Sequence, residues 1–406
     1  MRLVDRWIGV PVCFILTLHR RLADMFFPRR PAPIRRILFV KLAEQGATVL
    51  SYPAIARAIQ MVGRDNVFFM VFKENRFILD VMGVIPAENV ITISTENKFA
   101  FMIEVLRALR QTRKLRIDAA IDFEFFARSS AALCYLSGAG VRVGFHAFSG
   151  EASYRGDLMT HRLSFNSHLH TSQTFLTMVE ALNAPVSDFP AFDLLAPFVD
   201  LDPLEFRPTA PELEEVKTLL RRETGRDQTP PLILLNANAG DLLPLRRWPE
   251  GHYIELSKRL LAELPEVCIG FTGAPEEVAA ARQLVQEVAS HRCFCLAGKT
   301  TLRQLLVLYH LAEVLVTNDS GPAHFATLTP TDVVVLFGPE TPALFAARTL
   351  RTHVLWAGIV CSPCINAYND RRSVCRNNVC MQKISVDQVF EEVCRVYRKR
   401  RSERPQ

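Results

Sequence analysis

Short apolar runs alternate with stretches of helical periodicity along almost the whole chain, and no other feature restricts the possible folds as much. An apolar run of four to six residues bounded by polar turns suits a strand buried on both faces, and such a strand reaches a parallel neighbour through a helix. The first half reads as strand 36–41, helix 48–62, strand 67–72, helix 75–83, strand 90–93, helix 99–114, strand 117–122, helix 127–137 and strand 141–145, five strands of one open sheet. Residues 146–170, with four of the ten histidines, break the rhythm before helix 171–183. Pro185, Pro190, Pro197, Pro203, Pro208 and Pro211 then exclude regular helix and mark a linker over 185–211. A second series follows: helix 211–223, strand 232–236, helix 250–264, strand 267–272, helix 275–290, strand 293–296, helix 301–312, strand 314–318, helix 322–328 and strand 332–337. The expected architecture is α/β, with two Rossmann-like domains over 36–184 and 212–384 facing each other across a cleft. A basic amphipathic segment (1–35) precedes them, and a C-terminal helix with a basic tail (385–406) follows. Folds of this kind take ligands at the carboxyl ends of their strands.

Charge narrows the partners. Lys and Arg outnumber Asp and Glu by 48 to 42, but residues 1–36 hold eight Arg against two Asp, and residues 395–406 hold five Arg and one Lys against one Glu. The body between them is therefore mildly acidic, which weighs against a nucleic-acid partner, whose phosphates need a basic folded face. Basic ends suit an anionic surface instead. The apolar run Trp7 to Leu18 includes Pro11 and falls short of the roughly 20 residues that span a bilayer. Arg20 and Arg21 follow it without a small-residue cleavage site, so a cytoplasmic location is expected, peripheral to the inner membrane if the ends bind there. Two readings stand for residues 6–30: a segment lying in a membrane interface, and a helix packed on its own domain.

Three stretches carry chemistry. Val314 to Asn318 is a buried strand that runs into Asp319-Ser320-Gly321-Pro322-Ala323-His324. Ser320 or Asp319 can cap the next helix, Gly321 permits close backbone approach and Pro322 suits its first turn, which suits a phosphate. The alternative is an ordinary capped turn; a serine hydrolase is disfavoured because no Gly-x-Ser-x-Gly surrounds Ser320. The second stretch, Asn236 to Gly240 followed by Arg246-Arg247-Trp248-Pro249, sets two guanidiniums before a helix start, a place for a diphosphate or a solvated face. The third, Lys41-Leu-Ala-Glu44-Gln-Gly46-Ala47-Thr48, joins the first strand to its helix without a dinucleotide fingerprint or a P-loop.

In this order, and with Phe337-Gly338-Pro339-Glu-Thr-Pro342 after them, these stretches resemble glycosyltransferase family nine, the bacterial heptosyltransferases of lipopolysaccharide synthesis, over roughly residues 36–395. The resemblance implies a GT-B fold with the acceptor on the N-terminal domain and the nucleotide-sugar on the C-terminal one, inversion at the anomeric carbon, and no metal or other cofactor. ADP-heptose is the implied donor and an anionic glycan or glycolipid the implied acceptor. It further implies that Arg246 contacts the donor diphosphate, Asp319 holds the donor sugar, and Ser320, Gly321 and Pro322, with His324 beside them, sit where backbone amides meet phosphate. The family's first loop normally reads Gly-Asp, with that Asp as the presumed general base, whereas here it reads Gly46-Ala47. Alanine takes no proton, so Glu44 is the expected catalytic base; a catalytically inactive fold kept for binding is the alternative.

Lys41, Gly46, Asp122, Arg128, Arg142, His161 and Arg162 are the expected acceptor-side residues, since an anionic acceptor needs cationic lining. Cys361, Cys364, Cys375 and Cys380 begin as a Cys-x2-Cys pair typical of structural zinc, with reduced thiols as the leading reading. Asp200-x-Asp202 copies a metal-binding motif of another glycosyltransferase fold but lies in the Pro-rich linker and is discounted.

Overall fold

The computed structural model describes residues 5, 7–26, 32–146, 153–185, 204–240, 243–369 and 371–403. The chain divides into two units: Met1–Asp202 with Asn366–Arg372, and Pro203–Ile365 with Ser373–Gln406. Most of the expected linker and Asp200-x-Asp202 lie outside the described residues.

In the first unit α1 (Gly9–Phe26) is followed by β1 (Ile37–Val40), α2 (Gln45–Leu50), α3 (Tyr52–Val62), β2 (Val67–Phe72), α4 (Arg76–Met82), β3 (Val90–Ile93), α5 (Lys98–Lys114), β4 (Ala119–Asp122), α6 (Arg128–Leu136), β5 (Val141–Phe145), β6 (His161–Leu163) and α7 (Thr171–Glu180). The strands are all parallel, in the order β3-β2-β1-β4-β5-β6. Helices cover both faces of this sheet, which is why Ile37 through Val40 are all fully buried and the strand shows no polar alternation. Phe39 on β1 stacks on Phe123, and Phe123 on Phe175 of α7, with ring centroids 4.7 and 4.3 Å apart.

Two details depart from the sequence reading. The single helix expected over 48–62 is two, Gln45–Leu50 and Tyr52–Val62, with Pro53 in the first turn of the second. Proline has no N–H to continue an earlier helix but suits a first turn. The sheet also has a sixth strand, β6, paired with β5; two of its three residues are His161 and Arg162, so it shows no apolar run.

The second unit repeats the plan with α8 (Ala210–Thr224), β7 (Leu232–Asn236), α9 (Glu250–Glu263), β8 (Cys268–Phe271), α10 (Val278–Val288), β9 (Cys293–Cys295), α11 (Leu302–Leu311), β10 (Val314–Asn318), α12 (Gly321–Ala326), β11 (Asp332–Phe337), α13 (Pro342–Phe345), β12 (Thr352–Trp356), α14 (Val379–Gln382) and α15 (Val386–Glu403). Its parallel order is β12-β11-β10-β7-β8-β9, the same doubly wound arrangement as the first sheet. The edge strand β12 was not expected, because its half-buried residues give no continuous apolar run. Helix α8 starts where the Pro-rich stretch ends, with Thr209 and Glu212 in a capping box. Helix α15 buries Val389, Val393 and Val396 in the same core as Leu256 and Leu260 of α9. Part of the expected basic tail is structural: Arg400 lies 2.9 Å from Glu313 and 3.0 Å from Asp332.

In both sheets the strand order reverses between the first and fourth strands, β1 and β4 in one and β7 and β10 in the other. Loops leave in opposite directions at such a point and open a crevice at the carboxyl ends of the strands.

Candidate active site

The first crevice is built on the residues that follow β1 and β4. Lys41, directly after β1, is fully buried, with Nζ 3.0 Å from Glu44 and 3.0 Å from Glu124. Glu124, two residues past β4, accepts from the amides of Leu42 (2.8 Å) and Ala43 (3.0 Å) and so shapes the loop after β1. Burial pulls the Lys41 ammonium below its usual range, opposed chiefly by Glu124. Glu44 sits in the left-handed region (φ 67°), rare for a residue with a side chain, and its second carboxylate oxygen is ion-paired with Arg371. Arg371, also left-handed (φ 54°), arrives on Asn366–Arg372, the stretch that belongs with this unit although the sequence reading gave it to the second domain. Tyr368 fixes that stretch by stacking on Phe126 and donating its hydroxyl to the Phe165 carbonyl at 2.6 Å.

The other expected acceptor residues all have protein partners, and Asp122, Arg142 and His161 are buried. Asp122, fully buried, accepts from Ser130 (2.9 Å) and from the Glu124 amide (3.0 Å) and is ion-paired with Arg155. Burial, opposed by Arg155, pushes its carboxyl up to about 6. Arg142, also fully buried, donates to the carbonyls of Leu158 (2.6 Å) and Ala139 (2.8 Å). His161 is buried between Thr160 and the Ala184 carbonyl, and burial lowers its pKa. Arg128 donates to the Tyr154 carbonyl at 2.7 Å, and Arg162 pairs with Asp157 at 3.0 Å. These contacts tie loops together, and two further cations, Lys41 and Arg371, flank Glu44. Gly46 is buried inside α2, next to Ala47.

The second crevice follows β7 and β10. Asn318, the last residue of β10, accepts from the Trp248 amide (3.0 Å) and donates to the carbonyls of Ala237 and Asn238 (3.2 Å each). Asn378 donates to the carbonyls of Leu245 (3.1 Å) and Arg247 (2.8 Å). The turn Pro244–Arg246 is thereby pinned from two sides. Arg246 then donates from Nη1 to the Asp319 carbonyl (3.0 Å), with Nε 3.4 Å from the Asp319 carboxylate and Nη2 2.8 Å from Glu340. All three side chains are largely enclosed, at 13%, 4% and 2% exposure. One guanidinium faces two carboxylates, and burial, opposed by Arg246 and reinforced by Asp319, pushes Glu340 up to about 8.

Ser320 donates to the Asn318 carbonyl at 3.2 Å, and Pro322 lies in the first turn of α12, which has six residues rather than the expected span 322–328. A Cβ at Gly321 would stand 3.3 Å from the Phe325 ring. His324 is buried beside Asp319, and burial lowers its pKa. Cys380 is buried, Cys364 and Cys375 half-buried and Cys361 exposed, all as free thiols. Among the described residues no three His, Cys, Asp or Glu side chains are grouped to hold a metal ion. Sequence reasoning missed Glu340 and Arg371 as site residues. Glu340 carried a signal, a carboxylate directly after Gly338-Pro339 at a strand end; Arg371 carried none.

The model of a family described as glycosyltransferase family 9 (heptosyltransferase) matches residues 105–374. The chain belongs to that family. Among family relatives, lipopolysaccharide heptosyltransferase 2 of Salmonella typhimurium is 37% identical over 101 residues, 24% of this chain and 29% of the relative. Lipooligosaccharide heptosyltransferase 2 of Haemophilus influenzae is 29% identical over 150 residues, 37% of this chain and 41% of the relative. The matched stretch thus spans less than half the length of these relatives. Among solved structures, ADP-heptose lipopolysaccharide heptosyltransferase II of E. coli superposes with a TM-score of 0.65 at 19% identity, covering 90% of this chain and 99% of that one. A family 9 glycosyltransferase from Veillonella parvula gives 0.68 at 18% identity, over 90% and 97%. At these identities the superpositions establish the fold, two doubly wound α/β units as in GT-B enzymes.

Proposed function

We propose that this family 9 chain is an inverting glycosyltransferase that moves heptose from ADP-heptose to a lipopolysaccharide-type acceptor. The observation that carries the reading is Arg246, a buried cation fixed at the switch point of the second sheet. In the reaction the acceptor hydroxyl oxygen attacks the anomeric carbon from the face opposite the diphosphate, and the bond from that carbon to the diphosphate oxygen breaks. The hydroxyl proton passes to Glu44, and the charge that develops on the leaving diphosphate is met by Arg246 and by the amides of Ser320 and Gly321. With a fixed guanidinium in that role the reading needs no metal.

Glu44 is favoured over Asp122 and Glu124 as the base by access: its side chain is 33% exposed, against 11% for Glu124 and none for Asp122. For Glu44 to accept a proton, the acceptor has to displace Arg371 or Lys41 from one carboxylate oxygen, so the two cations would orient an anionic acceptor before transfer. Asp319, beside Arg246, would hold the donor sugar.

The test is ADP release from ADP-heptose in the presence of heptose-deficient lipopolysaccharide, using the full chain. Release that depends on both substrates is expected. A second reading, an inactive fold kept for binding, is motivated by Ala47, which stands where the family has a carboxylate. It would be preferred if ADP stabilises the protein thermally but no acceptor yields turnover.

A further inference from the structure

Helix α1 is attached to the first unit by the face that carries Cys13, Leu16, Thr17 and Arg20, the first two packed against the unit's hydrophobic core. Thr17 accepts from the Asp157 amide at 2.9 Å, and Arg20 donates to Asp157 at 2.5 Å. The Asp5 carboxylate, ahead of the helix, accepts from the amides of Arg128 (3.2 Å) and Ser129 (2.8 Å) at the start of α6. The fit is close: a Cβ on Gly9 would stand 2.8 Å from the Arg128 side chain, and one on Gly156 2.7 Å from the Cys13 carbonyl. The helix is therefore a built part of the unit.

Its other side is apolar and faces outward. Phe14, Ile15, Leu18, Leu22 and Phe26 are between 47% and 67% exposed. At 3.6 residues per turn they fall within an arc of about 120°. A helix on a water-facing surface normally turns its apolar stripe inward. Here a mixed face is consumed by the fold and a wholly apolar one is left outside, and an outward stripe of this size marks a surface meant to be covered.

Charge selects the cover. Residues 1–36 carry eight Arg against two Asp, and Arg21, 3.5 Å from Asp157, flanks the stripe with 56% of its side chain exposed. A second copy of the chain would set these like charges against one another, whereas anionic headgroups neutralise them while acyl chains take the aromatic and aliphatic side chains. Among the described residues no helix is long and apolar enough to cross a membrane, so α1 would lie along the surface. We infer that α1 is an interfacial helix that beds its outward face in an anionic lipid surface and holds the first unit against it. The inference builds on the lipid-bound acceptor of the proposed function, but it is tested without catalysis.

Flotation of the full chain with phosphatidylglycerol-containing vesicles, with pure phosphatidylcholine as the control, decides it. Binding to the anionic vesicles is expected, weakened by added salt. The double variant F14E/L18E should lower the bound fraction at least tenfold with an unchanged Tm, because both side chains are exposed. If that variant is unstable, L18S/L22S should show the same loss. Wild-type protein that stays in solution with anionic vesicles, or variants that fold and bind as well as wild type, would overturn the inference. So would a wild-type dimer that these substitutions dissociate without loss of lipid binding.

Discussion

Nη2 of Arg246 stands 2.8 Å from Oε2 of Glu340, so the cation assigned to the donor diphosphate is already held by a buried carboxylate. The clamp orients the guanidinium in advance, which lowers the cost of ordering it when the donor arrives. It also sets one acidic group beside the place proposed for another anion.

Arg246→Ala should weaken ADP itself. A hydrogen bond to a charged group contributes about 1.5–3 kcal/mol, so a loss of roughly 10- to 100-fold in affinity is expected by calorimetry. Asp319→Asn should spare most of the ADP affinity and weaken ADP-heptose more. Equal losses on bare ADP from both variants would refute the division of labour between the two residues.

Glu340 ties donor binding and stability to pH. Its carboxyl is raised from the ordinary 4.5 to about 8 by burial, so the folded chain binds a proton there more tightly than the unfolded chain does. The stability from this group is complete below about pH 4.5 and is lost as pH rises through about 8. Glu340→Gln removes the titration. Its Tm relative to wild type should therefore climb between pH 5 and pH 8, and its ADP affinity should fall less steeply above pH 7. Parallel Tm curves for the two proteins would show that Glu340 is ionised throughout.

Glu44→Gln should reduce turnover by roughly 10²- to 10⁴-fold while leaving ADP affinity unchanged, the signature of a lost general base. Ala47→Asp in that background should restore part of the rate if the loop after β1 presents position 47 as it presents position 44. Full activity of Glu44→Gln in a steady-state assay would remove Glu44 from the mechanism.

Arg155→Met should destabilise the first unit by about 3–5 kcal/mol in urea unfolding, because it leaves Asp122 buried without its cation. Adding Asp122→Asn should recover part of that loss, since the two residues act as a pair. A surface role for Arg155 in acceptor binding would instead leave stability near wild type and raise KM.

The sequence displayed the fold wherever both faces of a strand are buried: β2, β3, β5, β7, β10 and β11 carry the expected bounds, because continuous apolar runs have one explanation in a doubly wound sheet. It failed at β6 and β12, whose short or half-exposed strands look like loop. The meeting of Arg246 and Asp319 at one crevice was legible because each lies next to a strand end or a helix start. The histidines and arginines of 142–162 show where composition stops, since it does not tell a surface cation from one that ties carbonyls together inside, as Arg142 does. The Arg371 to Glu44 ion pair joins positions far apart in the chain, and no local pattern announces such a meeting.

The placement of Asn366–Arg372 with the first unit means that the polypeptide passes between the units at three points rather than one. A single proteolytic cut in the Pro-rich stretch would leave Asn366–Arg372 on the C-terminal fragment, packed in the first unit with no covalent bond to the rest of it. An N-terminal fragment ending near residue 202 would lack Tyr368, baring the rings of Phe126 and Phe165, and would lack the guanidinium that holds Glu44. Gene dissection at the apparent boundary would thus yield a first half with a damaged pocket, and its behaviour would say nothing about the intact protein.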